Sequence, residues 1–159
     1  MIKLFTIGGY NEVGKNMTAL QVDDDVFLFD CGLYLPPIVE MQEQEIQKEK
    51  PTEKKLRHIA AIPNDLILEN LGLRSKVRAI FLSHAHLDHI GAIPYIAPRY
   101  NAEVIGTPYT IEVLKSIILI LPEISLIAMS IYPWKTVFRG VSIRKGISIP
   151  ISSKPFLLK

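Results

Sequence analysis

The stretch Ser83-His84-Ala85-His86-Leu87-Asp88-His89 limits what this chain can fold into more than any other, because it packs three imidazoles and a carboxylate into a span that one turn can gather. It follows Lys76-Val77-Arg78-Ala79-Ile80-Phe81-Leu82, whose β-branched and apolar centre reads as a buried strand. The histidines therefore leave a strand end, where the backbone is fixed and the side chains can converge. Neutral nitrogen and anionic oxygen donors in this mixture suit zinc and related divalent ions, whereas calcium prefers oxygen alone. His84 and His86 alternate around Ala85 and can reach one ion together, while Asp88 and His89 lie past the bend and can reach a neighbouring one. Four constrained positions behind a strand favour a two-metal hydrolytic site over unrelated surface or core histidines.

Upstream, Ile2 to Ile7 reads as a first strand that ends at Gly8-Gly9. Met17 to Val22, a turn cluster Asp23-Asp24-Asp25 and Val26 to Phe29 then read as a hairpin. Gly9-x-x-x-x-Gly14-Lys15 nearly matches a phosphate-binding P-loop, but Asn16 stands where a magnesium-coordinating hydroxyl belongs, and a strand follows where a helix is required. Asp30 closes the hairpin next to Cys31-Gly32, as an ordinary turn aspartate or as a placed carboxylate. Leu33 to Arg57 reads as a solvated helical excursion broken at Pro51, and His58 as a surface histidine outside the motif. Pro63-Asn64-Asp65 opens a capped short helix or another strand. Ile90 to Ala97, with Pro94 in a first helical turn, is expected behind the motif. Glu103 to Gly106 is a strand, and Thr107-Pro108 caps a helix over Tyr109 to Ser116. Strands alternating with helices predict an α/β layered domain.

The 159 residues are sized for one domain, and 48% hydrophobic content suffices for a core. Charge is unevenly spread: all 16 acids and 12 of the 18 bases lie in Met1 to Glu123, leaving six bases and no acid in Ile124 to Lys159. One cysteine, Cys31, excludes an internal disulfide framework and fits a reducing cytoplasm. Met1 to Ile7 is too short an apolar run for a signal peptide. Ile117 to Tyr132 is interrupted by Pro122 and Glu123 and falls short of the roughly 20 residues that span a bilayer, so no membrane partner is expected.

His84-Ala85-His86-Leu87-Asp88-His89 resembles the signature of metallo-β-lactamase-fold hydrolases, and Ile90-Gly91-Ala92-Ile93-Pro94-Tyr95 narrows the likeness towards the β-CASP nucleases. With Gly8-Gly9-Tyr10-Asn11-Glu12-Val13-Gly14-Lys15-Asn16, the pattern is similar to the ribonuclease J family, above all its archaeal form. The likeness runs from Met1 to about Ser116. It implies a metallo-β-lactamase-like αββα sandwich, of which residues 1–117 would be the N-terminal part. Residues 118–159 would be an atypical basic tail, with a shifted reading frame as one explanation, and the family's β-CASP domain would be absent from these 159 residues.

By that resemblance, His84 and His86 would hold one zinc ion and Asp88 and His89 the other, Asp88 serving also as the catalytic carboxylate. Asp30 would support the ligand loop by hydrogen bonds. Gly14, Lys15 and Asn16 would form a loop on the substrate side. The activity implied is zinc-dependent, 5′-to-3′ exonucleolytic hydrolysis of RNA in processing and decay, in the cytoplasm, with RNA and a second copy of the complete protein as partners. Later segments in the family add a histidine, a bridging aspartate and a further histidine, yet this chain has no histidine and no aspartate after His89. A truncated, inactive piece of such an enzyme is therefore expected. A metallo-β-lactamase-fold hydrolase of small esters or thioesters, and a non-catalytic fragment, are the alternatives.

Overall fold

The computed structural model describes residues 1–44, 52–119 and 134–136, the last three by their backbone. Its centre is a six-stranded sheet in the order β1-β2-β3-β4-β5-β6. The first three strands, β1 Ile2–Gly8, β2 Met17–Val22 and β3 Asp25–Phe29, form an antiparallel meander, as the hairpin signal predicts. From β3 onward the sheet is parallel, through β4 Val77–Phe81 and β5 Glu103–Gly106 to β6 Trp134–Thr136. Parallel neighbours need crossovers. Between β3 and β4 the chain runs through helices α1 Pro36–Gln44, α2 Glu53–His58 and α3 Leu66–Asn70, and between β4 and β5 through the single turns α4 Leu87–Ile90 and α5 Ile93–Ile96. Helix α6 Pro108–Leu119 follows β5, and Thr107 Oγ1 accepts from Thr110 N–H at 3.2 Å, as expected of an N-cap.

One face of the sheet carries the core. Val26 and Leu28 of β3, Ile80 of β4 and Val104 of β5 are buried with Ile90, Ile93, Ile96, Ile111, Leu114 and Ile118 from the helices. The opposite face is also apolar but lies open: Leu4 pairs with Leu20, Leu20 with Phe27, and Phe29 with Phe81. There the Phe29 and Phe81 rings stack with centroids 5.4 Å apart, and Leu4 and Phe29 remain 62% and 40% exposed.

One expectation needs revision. Asp65 does not cap α3, because its carboxylate is buried instead of exposed at the helix start. Oδ1 lies 2.7 Å from Arg57 Nη1 and Oδ2 lies 3.2 Å from Arg99 Nε, close charge contacts without hydrogen-bond alignment, while Tyr100 Oη–H donates to Oδ2 at 2.8 Å. Partnering with two guanidiniums is what makes a buried carboxylate tolerable. The apolar Leu66-Ile67-Leu68, undecided between helix and strand, is helical. Trp134–Thr136, within residues 118–159, pairs in parallel with Val104–Gly106. The predicted break at Pro51 lies outside the described residues.

Candidate metal centre

The parallel part of the sheet directs its strand ends to one edge, and the His-rich segment leaves β4 there. Asp30 N–H donates to Phe81 carbonyl oxygen at 2.8 Å, so the end of β3 lies beside the end of β4. Three loops are then knitted by backbone hydrogen bonds. Cys31 N–H reaches His89 O at 2.6 Å, Leu33 N–H reaches Leu87 O at 2.9 Å, and Asn16 N–H reaches Asp88 O at 3.1 Å. Gly32 is required by this closeness, since a Cβ at that position would lie 1.6 Å from the Asp88 carbonyl oxygen. Cys31 is fully buried, and burial, reinforced by the charge of Asp65, pushes its thiol well above the ordinary range. A buried thiol held neutral makes Cys31 a small core residue, not a nucleophile.

Asp30 occupies the left-handed region at φ +60°, a conformation uncommon for a residue with a side chain. Its carboxylate accepts from Ser83 N–H at 2.8 Å through Oδ1, and from Ser83 Oγ–H and His89 Nδ1–H, each at 2.8 Å, through Oδ2. These partners select tautomers. With Nδ1–H given to Asp30, His89 keeps its lone pair on Nε2. Because the Ser83 proton is directed to Asp30, Ser83 Oγ can accept from His84 Nδ1–H at 2.9 Å, which keeps the lone pair of His84 on Nε2 too. One carboxylate therefore orients two imidazoles, one directly and one through a hydroxyl that sequence reasoning had not singled out. Its only signal was its place between the strand and the first histidine.

The rings of His84 and His86 lie 4.5 Å apart edge to face, and those of His84 and His89 lie 4.0 Å apart. His86 is exposed, while His84, Asp88 and His89 are half-buried. His89 Nε2 is 3.4 Å from Asp88 Oδ2. Two donors bound to one tetrahedral zinc at about 2.0–2.2 Å would lie about 3.3 Å apart, so this pair fits one ion. Among the described residues, however, no three His, Cys, Asp or Glu side chains form a group able to hold a metal ion. The motif thus supplies paired donors of suitable chemistry, short of a closed coordination shell.

Of the loop expected on the substrate side, Asn16 turns inward against Asp88 and His89, with its amide 3.2 Å from Asp88 Oδ2 and from His89 Nε2. Lys15 faces Glu12 at 3.6 Å and the Ala60 carbonyl at 3.4 Å. Gly14 packs against Tyr34. His58 lies exposed at the end of α2, and among the described residues no helix is long and apolar enough to cross a membrane.

A family profile, the Metallo-beta-lactamase superfamily, matches residues 10–128. Ribonuclease J of Methanocaldococcus jannaschii is 47% identical over 118 residues, 74% of this chain and 25% of that protein. Ribonuclease J of Pyrococcus abyssi is 47% identical over 117 residues, 73% of this chain and 25% of that protein. The chain therefore spans about a quarter of the length of these curated relatives. A crystal structure of a protein of unknown function from Enterococcus faecalis shares the fold, at TM-score 0.54 and 18% identity over 89% of this chain and 34% of that one. The ribonuclease J likeness inferred from the motifs is upheld by these alignments, and the chain belongs to the metallo-beta-lactamase superfamily.

Proposed function

We propose that this chain carries half of the dinuclear zinc centre of a ribonuclease J-type RNA hydrolase, and that the 159-residue polypeptide alone does not cleave RNA. The observation that carries the reading is the hydrogen bonding of Asp30 to His89 Nδ1 and, through Ser83, to His84 Nδ1, which keeps the lone pair of each ring on Nε2, with His89 Nε2 beside the Asp88 carboxylate. A hydrogen-bonded carboxylate behind a ligating imidazole is the support that zinc ligands ordinarily have. His84 and His86 would hold one ion, Asp88 and His89 the other. Bound zinc would supply Lewis acidity and a water that deprotonates near neutral pH. The protein's own contribution is orientation. Asp30 and Ser83 hold the imidazoles, and Asp88 provides negative charge facing the solvent-accessible side. RNA is proposed as the substrate because the relatives sharing nearly half their aligned residues are ribonucleases. Lys15, the one cation on the glycine loop, would face its phosphates once released from Glu12, and a reducing cytoplasm suits both RNA and the single thiol.

Zinc content after dialysis tests this. The wild-type chain should retain less than two equivalents with weak affinity, and His86→Ala should weaken binding at least about tenfold, the scale seen for loss of even indirect support. Two zinc ions per chain surviving extensive dialysis, or unchanged zinc content in His86→Ala, would contradict the half-centre.

A further inference from the structure

We propose that Asn16 is a positioning residue of the Asp88–His89 half of the centre, holding the Asp88 carboxylate on the His89 side. The side-chain amide of Asn16 is bound in one orientation. Nδ2 donates to the Asp88 carbonyl oxygen at 2.9 Å, an acceptor that would repel the amide oxygen were the group turned over. The same nitrogen lies 3.2 Å from Asp88 Oδ2 and 3.2 Å from His89 Nε2, the two atoms assigned above to one ion; the amide has two protons, and giving both to Asp88, one to its carbonyl and one to Oδ2, leaves the His89 lone pair to the metal.

Its backbone is equally committed. Asn16 N–H donates to that same Asp88 carbonyl at 3.1 Å, and Asn16 C=O accepts from Gly32 N–H at 3.1 Å. The loop has also been cleared for the amide: Gly9 stands at φ +83°, and a Cβ there would come 2.1 Å from Asn16 Oδ1. A residue needed only to close the turn between β1 and β2 would not require its side chain to cross to Asp88, 72 positions away in sequence. The amide acts on the carboxylate as Asp30 acts on the imidazole, from the opposite side of the ligand pair. Without it, Asp88 Oδ2 is free to rotate away and the pair must be reassembled at each binding event.

This inference rests on reading Asp88 and His89 as zinc ligands, and its test separates the two. The 159-residue chain, titrated with zinc chloride against a chromophoric chelator, should bind about tenfold more weakly as Asn16→Ala and as the near-isosteric Asn16→Leu, with amide spectra like wild type. In an Asp88→Ala background the same substitutions should cause no further loss, because their effect passes through that carboxylate. Unchanged affinity in the single variants, or an equal loss in the Asp88→Ala background, overturns the assignment to Asn16 while leaving the zinc site standing. Unfolding of both variants where the wild type folds overturns it too, by making Asn16 a determinant of the fold. A wild-type chain that binds no zinc overturns the site, and this assignment with it.

Discussion

Asp30 shows how one residue can make a conformational cost useful. A left-handed backbone costs an L-residue about 1–2 kcal/mol, least for Asp and Asn, and here it aims a carboxylate that is only 14% exposed at three donors. Asp30→Asn keeps the size and the tolerance for φ +60° but places an amide where Oδ2 accepts from Ser83 and His89, or leaves Ser83 N–H facing a donor. We expect zinc affinity to fall about 10–100-fold. Stability to chemical denaturation should drop by about 1.5–3 kcal/mol, the range for hydrogen bonds to a charged group. Ser83→Ala removes the hydroxyl that bridges Asp30 and His84 but leaves Ser83 N–H and His89 on Asp30, so it should cost less zinc affinity than Asp30→Asn, and Ser83→Thr should restore it. Wild-type zinc binding and an unmoved denaturation midpoint in Asp30→Asn would return Asp30 to the rank of an ordinary turn aspartate.

Among the elements, the sheet has one finished face and one unfinished. Its first strand is an edge, its partners along the open face are Leu4, Leu20, Phe27, Phe29 and Phe81, and nothing among the described residues covers them. Open apolar sheet surface next to an unpaired edge invites association. The chain should sediment as a distribution of oligomers, and Leu4→Lys should shift it towards monomer without lowering the unfolding midpoint, since Leu4 is already 62% exposed. A wild-type monomer at high concentration would show that this face needs no cover.

Element positions were legible in the sequence wherever period and punctuation agreed. The hairpin declared itself through Asp23-Asp24-Asp25 between two β-rich runs, and α6 through Thr107-Pro108. Asp65 misled because Asp before an apolar run is the ordinary mark of a cap, whereas its real partners, Arg57 and Arg99, lie 8 positions before and 34 after it. Asn16 was legible as a departure from a P-loop, but its contact with Asp88 belongs to a crossover no local pattern encodes. The ligand types at His84 to His89 could be read from spacing, while their tautomers depend on Asp30, which only the parallel pairing of β3 with β4 brings alongside.

At the scale of the molecule, the donor pairs and the residue inventory meet. Each ion of a dinuclear site needs about four ligands, and the motif offers two per ion. No histidine or aspartate follows His89, and the acids that do follow, Glu103, Glu112 and Glu123, end before a stretch of 36 residues without any acid. We therefore expect this polypeptide to leave labelled RNA intact with or without added zinc. Two constructions locate the reason. Residues 1–119, substituted for the aligned segment of the Methanocaldococcus jannaschii ribonuclease J, should give an enzyme that cleaves RNA and is stopped by a chelator, because the oriented pairs would then find their remaining ligands and the open face of the sheet its cover. The same chimera carrying His86→Ala should be inactive. The coding region translated in its other two frames beyond codon 116 should, in one of them, recover histidine and aspartate motifs. Chelator-sensitive cleavage of RNA by the 159-residue chain itself would refute the half-centre. An inactive but folded chimera would show that the first half of the site has lost its own geometry, and frames without such motifs would leave the acid-free stretch as sequence in its own right.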